Sequence, residues 1–344
     1  MIAKAIDPSL RTDGILRMLD GAVFYQTDRA PTQIANLRFF QNSFLVLRSF
    51  SKLGRSPIPQ MIRSLDRRIF RQSIISSPVV RSARSFRIVT SFENRLCAVD
   101  RRSRASAEAA VRAALRIPES RAKGELEIWI LSRREGIGFI MIRITRRKAT
   151  EKSLAKGELR PELANLLCLL SGPAAQDVFL DPFCGHGAIV LERFRAFPAK
   201  KIYGFDLDSE KITLLRRKVK KNRSAAAGKI SLDTIDGTIL AAVPDNSVTK
   251  IVSDPPWGDY NLSRDSVKEI YRGFLTQMDR IMSPGGIAVL LVGRDSTFCH
   301  LVDEESHARR LDASYDVLVS GKKATVLKLT YVAATERPTI SGPS

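Results

Sequence analysis

The sequence predicts an α/β fold, a doubly wound and largely parallel sheet preceded by a smaller α+β module. Three observations lead there. From about position 160 onward, helical and strand-like segments alternate repeatedly. Strands of that half include fully apolar runs such as GIAVLLVG (286–293), which suit strands covered on both faces. Two loop motifs, DPFCGHGAIVLE (181–192) and SDPPWGDY (253–260), each follow such a strand. That is the edge at which open parallel sheets bind ligands.

A chain of 344 residues has the length of two or three domains. Its 44% hydrophobic content supports a full core and argues against bulk disorder. The net charge of +20 is uneven. Residues 1–150 carry 29 basic and 12 acidic side chains, a net of +17, and most of the basic ones are Arg. Residues 151–344 carry 27 and 24, a net of +3. Arg presents a planar fork that fits phosphate bidentately. A basic module beside a near-neutral one therefore reads as a polyanion-binding part joined to a chemical part.

The cysteines Cys97, Cys168, Cys184 and Cys299 form no CxxC pair. Cys299, His300 and His307 lie too close in sequence to make a tetrahedral site, so no metal is expected. So few cysteines fit a reducing, intracellular setting. The N-terminus has no apolar signal core, and no run reaches the roughly 18–20 apolar residues that span a bilayer. A cytoplasmic protein, or a nuclear one in a eukaryote, with no membrane association is the expectation.

In chain order, AVFYQ (22–26) and FLVLRSF (44–50) read as strands, and PQMIRSLDRRIF (59–70) as one basic amphipathic helix. SFRIVTSF (85–92) is a strand and SAEAAVRAALRI (106–117) a helix. ELEIWIL (125–131) and IGFIMIRIT (137–145) form a hairpin across SRREG. The polar stretch 146–158 suits a linker. After it come a helix (161–172), a strand (177–183), a helix (186–197), a strand (201–208), a helix (209–222) and strands at 230–236 and 248–256. A helix (267–282) and the strand 286–293 follow, and YDVLVS (315–320) pairs with ATVLKLTYVA (324–333) as an antiparallel edge.

The loop after the first strand of this half suits S-adenosylmethionine (SAM). Gly185 and Gly187 remove Cβ atoms that would keep a ligand from the backbone. Their amides and the helix N-terminus are expected to donate to the ligand's carboxylate, and Asp181 to receive its ammonium. An acid after the second strand is expected to hold the ribose hydroxyls: Asp206, with Asp208 a near alternative. Asp236, after the third strand, suits the adenine amine. Val190 stands where a dinucleotide fingerprint needs its third Gly, and no GxxxxGK[ST] is present. Cys184 reads as a small packing residue and His186 as a partly exposed loop position.

SDPPWG follows the fourth strand. Pro255 and Pro256 fix φ, and Pro255 holds Asp254 extended. The Asp254 carboxylate and the Pro255 carbonyl then face one NH₂ group of a base. Two acceptors localise the nitrogen lone pair, and Asp254 stabilises the charge that develops on attack. Trp257 is expected to stack on the base. Such a base must be flipped out or unpaired.

On these residues the chain resembles the THUMP-domain RNA methyltransferases, class I SAM-dependent enzymes that form N2-methylguanosine. DPFCGHGAIVLE matches the family pattern D-P-F-C-G-x-G-x-x-x-x-E in full, and LRPELANLLCLLSG (159–172) resembles the helix before it. YGFDLD (203–208) is similar to the acidic ribose motif. SDPPWG is similar to D/N-P-P-F/Y/W, with Asp254 at the amine-engaging position, and 270–291 resembles the helix–turn–strand that follows. The resemblance implies a Rossmann-like methyltransferase sheet at 159–334. Before it come a ferredoxin-like segment at 1–56, a THUMP-like RNA-binding domain at 57–147 and a linker at 148–158; a flexible tail at 335–344 ends the chain. It implies a catalytic set of Asp254, Pro255, Pro256 and Trp257. The implied cofactor set is Asp181, Phe183, Cys184, Gly185, Gly187, Asp206, Asp208 and Asp236. The partner implied is RNA, held at the acceptor end of tRNA, by a monomer or with a helper subunit. An amino-methyltransferase for another base or nucleic acid (DNA adenine or cytosine, rRNA or snRNA) is an alternative, opposed by the basic N-terminal half and the DPFCG loop. A non-catalytic RNA-binding subunit is a second, opposed by the presence of Asp181, Asp206 and Asp254 together.

Overall fold

The structure, a computed structural model, describes residues 17–19, 21–93, 95–122, 124–145, 154–155, 157–221, 230–258, 264–294, 298, 301–302 and 308–332. The chain divides into two compact units after Ala149. The expected tail at 335–344 and most of the expected linker at 148–158 lie outside the described residues.

The N-terminal unit begins with a ribbon of β1 (Arg17–Leu19) and β2 (Ala22–Phe24) and a short helix α1 (Pro31–Ala35). Then come β3 (Phe44–Phe50), α2 (Pro57–Arg63), α3 (Arg67–Ser76), α4 (Pro78–Ser82), β4 (Phe86–Phe92) and β5 (Arg95–Leu96). α5 (Arg101–Leu115), β6 (Leu126–Ser132) and β7 (Gly138–Arg143) complete it. Five strands form one sheet in the order β3-β7-β6-β4-β5. β4 and β6 are parallel, joined through α5, and the other pairs are antiparallel. Ile128, Ile130, Ile140 and Ile142 are fully buried in a core shared with Met61, Ile62, Phe70, Ala107 and Val111. Alternation along β6 and β7 sends every second side chain to that face.

The single helix expected over 59–70 is two. The Ser64 hydroxyl donates to the Met61 carbonyl at 2.7 Å as the first helix ends, and Asp66 Oδ1 accepts the Arg68 and Ile69 amides at 2.8 and 3.1 Å to start the second. α5 begins five residues before the expected start at 106, because the Asp100 side chain accepts the Ser103 amide at 2.9 Å as its N-cap. β3 pairs with β7, so one sheet unites residues on both sides of position 56.

The C-terminal unit runs α6 (Pro161–Leu170), β8 (Val178–Asp181), α7 (Ala188–Ala196), β9 (Lys201–Asp206), α8 (Ser209–Lys221), β10 (Ile230–Thr234) and β11 (Val248–Ser253). It continues with α9 (Arg264–Ile281), β12 (Met282–Gly293), β13 (Arg309–Val319) and β14 (Lys322–Tyr331). The seven strands lie in the order β10-β9-β8-β11-β12-β14-β13. The first five are parallel, and β14 and β13 close the sheet antiparallel. This is the predicted doubly wound α/β sheet with an antiparallel edge. The order reverses between β8 and β11, the switch point at which such sheets take ligands.

Leu180, Ile251, Ala288, Leu290 and Val292 of the sheet pack with Tyr271, Phe274 and Met278 of α9, all fully buried. Glu192, last residue of the DPFCGHGAIVLE motif, is buried and accepts the Asn165 Nδ2 hydrogen at 3.2 Å, joining α7 to α6. Arg193 beside it reaches Asp177 at 2.8 Å, tying α7 to the start of β8. β13 starts six residues before the expected 315. Its polar alternation hides a strand whose buried Arg309 grips both oxygens of Asp279 on α9 at 2.6 Å. Among the described residues no helix is long and apolar enough to cross a membrane.

Phe274→Ala empties a fully buried ring site and is expected to lower unfolding free energy by about 3–5 kcal/mol. Leu318→Ala, at a position 73% exposed, is expected to change it by less than about 0.5 kcal/mol. Urea denaturation of both variants checks the pair.

Candidate active site

Parallel pairing brings the C-terminal ends of β8, β9, β10 and β11 to one edge. Asp181 is the last residue of β8 and Asp206 the last of β9; Asp236 lies two residues after β10, and Asp254 directly after β11. All four acids border one cavity of about 890 Å³. Phe183, Cys184, Gly185, Pro255, Pro256 and Trp257 border it too, whereas Gly187 and Asp208 do not.

Asp181 is 1% exposed. Its Oδ1 accepts the Ser253 hydroxyl at 2.7 Å and the Phe183 amide at 3.3 Å. Burial pushes its carboxyl up to about 8; the Ser253 bond opposes this, and the nearby carboxylates Asp254 and Asp206 add to it. Burial likewise pushes Asp254 up to about 7, opposed by a hydrogen bond from Trp257. Neither acid has a cationic partner among the described residues. A pocket bordered by two acids with raised carboxyls and no ion-pair partner favours a ligand that brings positive charge.

The glycine loop departs from expectation. Gly185 (φ +50°) donates its amide to Asp206 Oδ2 at 2.7 Å, and Gly187 (φ +85°) donates to the Cys184 carbonyl at 2.7 Å. These two amides are therefore satisfied inside the loop and do not face a ligand carboxylate. Gly187 serves packing instead, since a Cβ there would fall 2.1 Å from Leu215 Cδ1.

Asp208, the near alternative for the ribose, lies off the cavity. Its Oδ1 accepts the Glu210 and Lys211 amides at 3.0 and 3.1 Å, capping α8 at the helix start. Asp206 keeps its place on the cavity and accepts the Asp208 amide at 3.0 Å through Oδ1. Each of its oxygens retains a second lone pair. Asp236 Oδ1 accepts both the amide and the hydroxyl of Thr238 at 2.8 Å, an Asx turn that fixes its direction. Cys184 is buried, its amide bonded to the Phe205 carbonyl at 2.8 Å and its thiol pushed far up by burial. It packs, as read. The His186 carbonyl accepts Lys218 Nζ at 3.1 Å, and Lys218 also reaches Glu158 at 2.9 Å.

Trp257 differs most. Its indole N–H points to Asp254 Oδ1 at 2.8 Å and to the Leu291 carbonyl at 3.2 Å. Gly293 lies against the indole, where a Cβ would sit 3.4 Å from Trp257 Cβ. Tyr271, whose helical spacing signalled only burial, donates its hydroxyl to the Pro256 carbonyl at 2.7 Å. Ser253 carried no separate signal beyond its place before DPP. Gly237 leaves room for Phe183, since a Cβ there would lie 2.6 Å from the ring.

Residues 147–321 match the family described as UPF0020, RMKL-like, methyltransferase domain. The chain belongs to that family. It is 28% identical over 154 residues to a tRNA (guanine(10)-N2)-dimethyltransferase of Methanothermobacter thermautotrophicus, covering 44% of each chain. It is 33% identical over 141 residues to the human U6 snRNA (guanine-N(2))-methyltransferase THUMPD2, covering 40% of this chain and 26% of that one. Against the tRNA (guanine(6)-N2)-methyltransferase of Thermus thermophilus the identity is 28%, covering 45% and 47%. The matches thus span less than half the length of these relatives. The crystal structure of TrmN from Thermus thermophilus shares the fold with a TM-score of 0.65 at 20% identity, covering 90% of this chain and 91% of that one.

Gly187→Ala meets both the positive φ and the Leu215 side chain. Expected is a loss of about 2 kcal/mol or more in stability, read as a lowered midpoint in thermal unfolding. Gly157→Ala, with a similar φ and open space around it, is expected to lose about 1 kcal/mol.

Proposed function

We propose that this chain transfers a methyl group from SAM to the exocyclic N2 amine of a flipped guanine in RNA. The substrate is tRNA, gripped at its acceptor end by the basic N-terminal half. One observation carries the reading: Asp254 of the DPPW loop borders the same cavity as Asp181, Asp206 and Asp236. The names of the curated relatives, guanine-N2 methyltransferases of tRNA and U6 snRNA, support the substrate class. The crystal structure of SMU.472 complexed with SAH, similar in fold, supports the cofactor.

The residues suit SAM. It carries an ammonium and a sulfonium, and the cavity holds the buried Asp181 and the half-buried Asp254, both with raised carboxyls. Asp181 would hold the ammonium, Asp206 the ribose hydroxyls and Asp236 the adenine amine. When bound, SAM supplies an electrophilic methyl group on a cationic sulfur.

The remaining work falls to the DPPW loop. An exocyclic amine spreads its lone pair into the ring and attacks poorly. Asp254 and the Pro255 carbonyl accept its two hydrogens and localise that pair. Pro255 is the carbonyl available, because the Pro256 carbonyl is already taken by Tyr271. As the nitrogen–carbon bond forms, the methyl–sulfur bond would break and the sulfur would leave as a neutral thioether, so the positive charge passes to the nitrogen. Asp254 stabilises that charge and then takes one proton, a task suited to a carboxyl raised to about 7. The +17 charge of residues 1–150 supplies phosphate contacts.

Asp254→Asn should lower kcat by about 10²–10³-fold and leave SAM affinity within about threefold; paired isothermal titration and methyl-transfer assays on tRNA read both. Equal losses of binding and rate would contradict the assigned role.

Asp181 gives a pH test. Its folded pKa lies above the ordinary carboxylate value, so the ligand-free protein loses stability as pH rises from about 4 through 8. A cationic ligand stabilises the ionised form. SAM binding near pH 7 should release close to one proton, and affinity should rise with pH until it levels above about 8. Titration in buffers of different ionisation enthalpy measures the release, and Asp181→Asn should abolish it.

A further inference from the structure

The DPPW aspartate is not free to choose which oxygen it offers. We infer that Trp257 is a positioning residue for methyl transfer, acting through its indole N–H on Asp254 rather than by stacking on the base. This rests on the reading above, in which Asp254 engages the amine.

The geometry is specific. The indole nitrogen sits 2.8 Å from Asp254 Oδ1 and 3.2 Å from the Leu291 carbonyl of β12. One donor shared between two acceptors fixes the ring in plane with both. Gly293, two residues further along β12, lies beside the Trp257 side chain, with an added Cβ 3.4 Å from Trp257 Cβ. Tyr271 holds the intervening Pro256 carbonyl from α9 at 2.7 Å. The loop is thus clamped from β12 and from α9, and the clamp ends on one carboxylate oxygen. Among the described residues Oδ2 has no hydrogen-bond partner. Trp257 therefore selects Oδ2 as the oxygen that meets the amine, and holds Asp254 in one rotamer.

The same bond governs charge. Burial disfavours the Asp254 carboxylate, and the indole N–H is the group that favours it. Charge on Asp254 raises Asp181 at the end of β8, and Glu158, Arg160, Asp206, Lys211, Asp236 and Lys322 border the same cavity. Phe or Tyr at this position keeps an aromatic face and lacks this donor, so the indole assigns Trp a task those side chains do not perform.

The test separates a donor from a platform. Trp257→Phe keeps an aromatic face and removes the N–H. Benzothienylalanine at 257, installed by nonsense suppression, keeps the full bicyclic shape and replaces N–H by sulfur, which covers the case in which the Phe variant folds poorly. With carboxyl-labelled Asp, carbon NMR follows Asp254 across pH without any RNA present. The expected result is a titration midpoint moved up by about one pH unit in both variants. The acid limb of kcat/KM moves with it, so that activity lost at pH 6.5 returns by about pH 9. SAM affinity at high pH stays unchanged. An unmoved Asp254 midpoint with an unmoved acid limb would overturn the inference and leave Trp257 a stacking surface. Asp254→Asn retaining full activity would instead overturn the functional reading, while the NMR midpoint still judges the indole bond by itself.

Discussion

The Ser253 hydroxyl and Asp181 share a 2.7 Å hydrogen bond at the C-terminal end of two neighbouring parallel strands, and much of the site depends on it. The β8–β11 register sets Ile251 against Leu180, so both strands run out at the same level. Ser253 then anchors to Asp181, and the next residue in the chain is Asp254. The acid suited to a cofactor cation and the acid suited to a base amine are thereby linked through the Ser253 hydroxyl and one peptide bond. Burial makes both costly to ionise, and the nearby carboxylates of Asp254 and Asp206 add to the cost at Asp181.

The outline of the C-terminal unit was legible because its central parallel strands carry apolar runs and each ligand loop begins at a strand end. Asp181, Asp206, Asp236 and Asp254 meet at one edge for that reason, in the strand order Asp236, Asp206, Asp181, Asp254. Hydrogen-bond direction was not legible. An aspartate after a strand serves a ligand or caps the next helix, and Asp206 and Asp208 look alike in the sequence. Three-residue bookkeeping inside the loop, Asp208 to Glu210 and Lys211, decides between them. The same holds for Gly185 and Gly187, whose amides found partners close by. An indole also offers either its face or its N–H, and only the position of the Leu291 carbonyl on another strand distinguishes the two.

In the N-terminal unit the difficulty was distance along the chain. β3 joins its sheet through β7, and the Ser43 amide meets the Thr145 hydroxyl at 3.1 Å across 102 positions. A linear division into blocks separates such partners. The division of the basic helix had a visible cause in retrospect: Ser64 and Asp66 are residues that end and begin helices, set inside an otherwise continuous amphipathic pattern.

α9 gives the ligand loops a common reference. Phe274 meets Phe183 of the first loop edge to face at 5.0 Å between ring centroids. Gly273 is the small residue on which Thr238 of the third loop rests, and Tyr271 holds the Pro256 carbonyl of the fourth. Three loops from three strands thus register against a single rod, within one turn of its length. When that rod shifts, through warming or a distant substitution, it carries all three together. Gaps between reactant-holding loops then stay nearly constant while their absolute positions drift, much as instruments bolted to one bench keep their alignment when the bench moves.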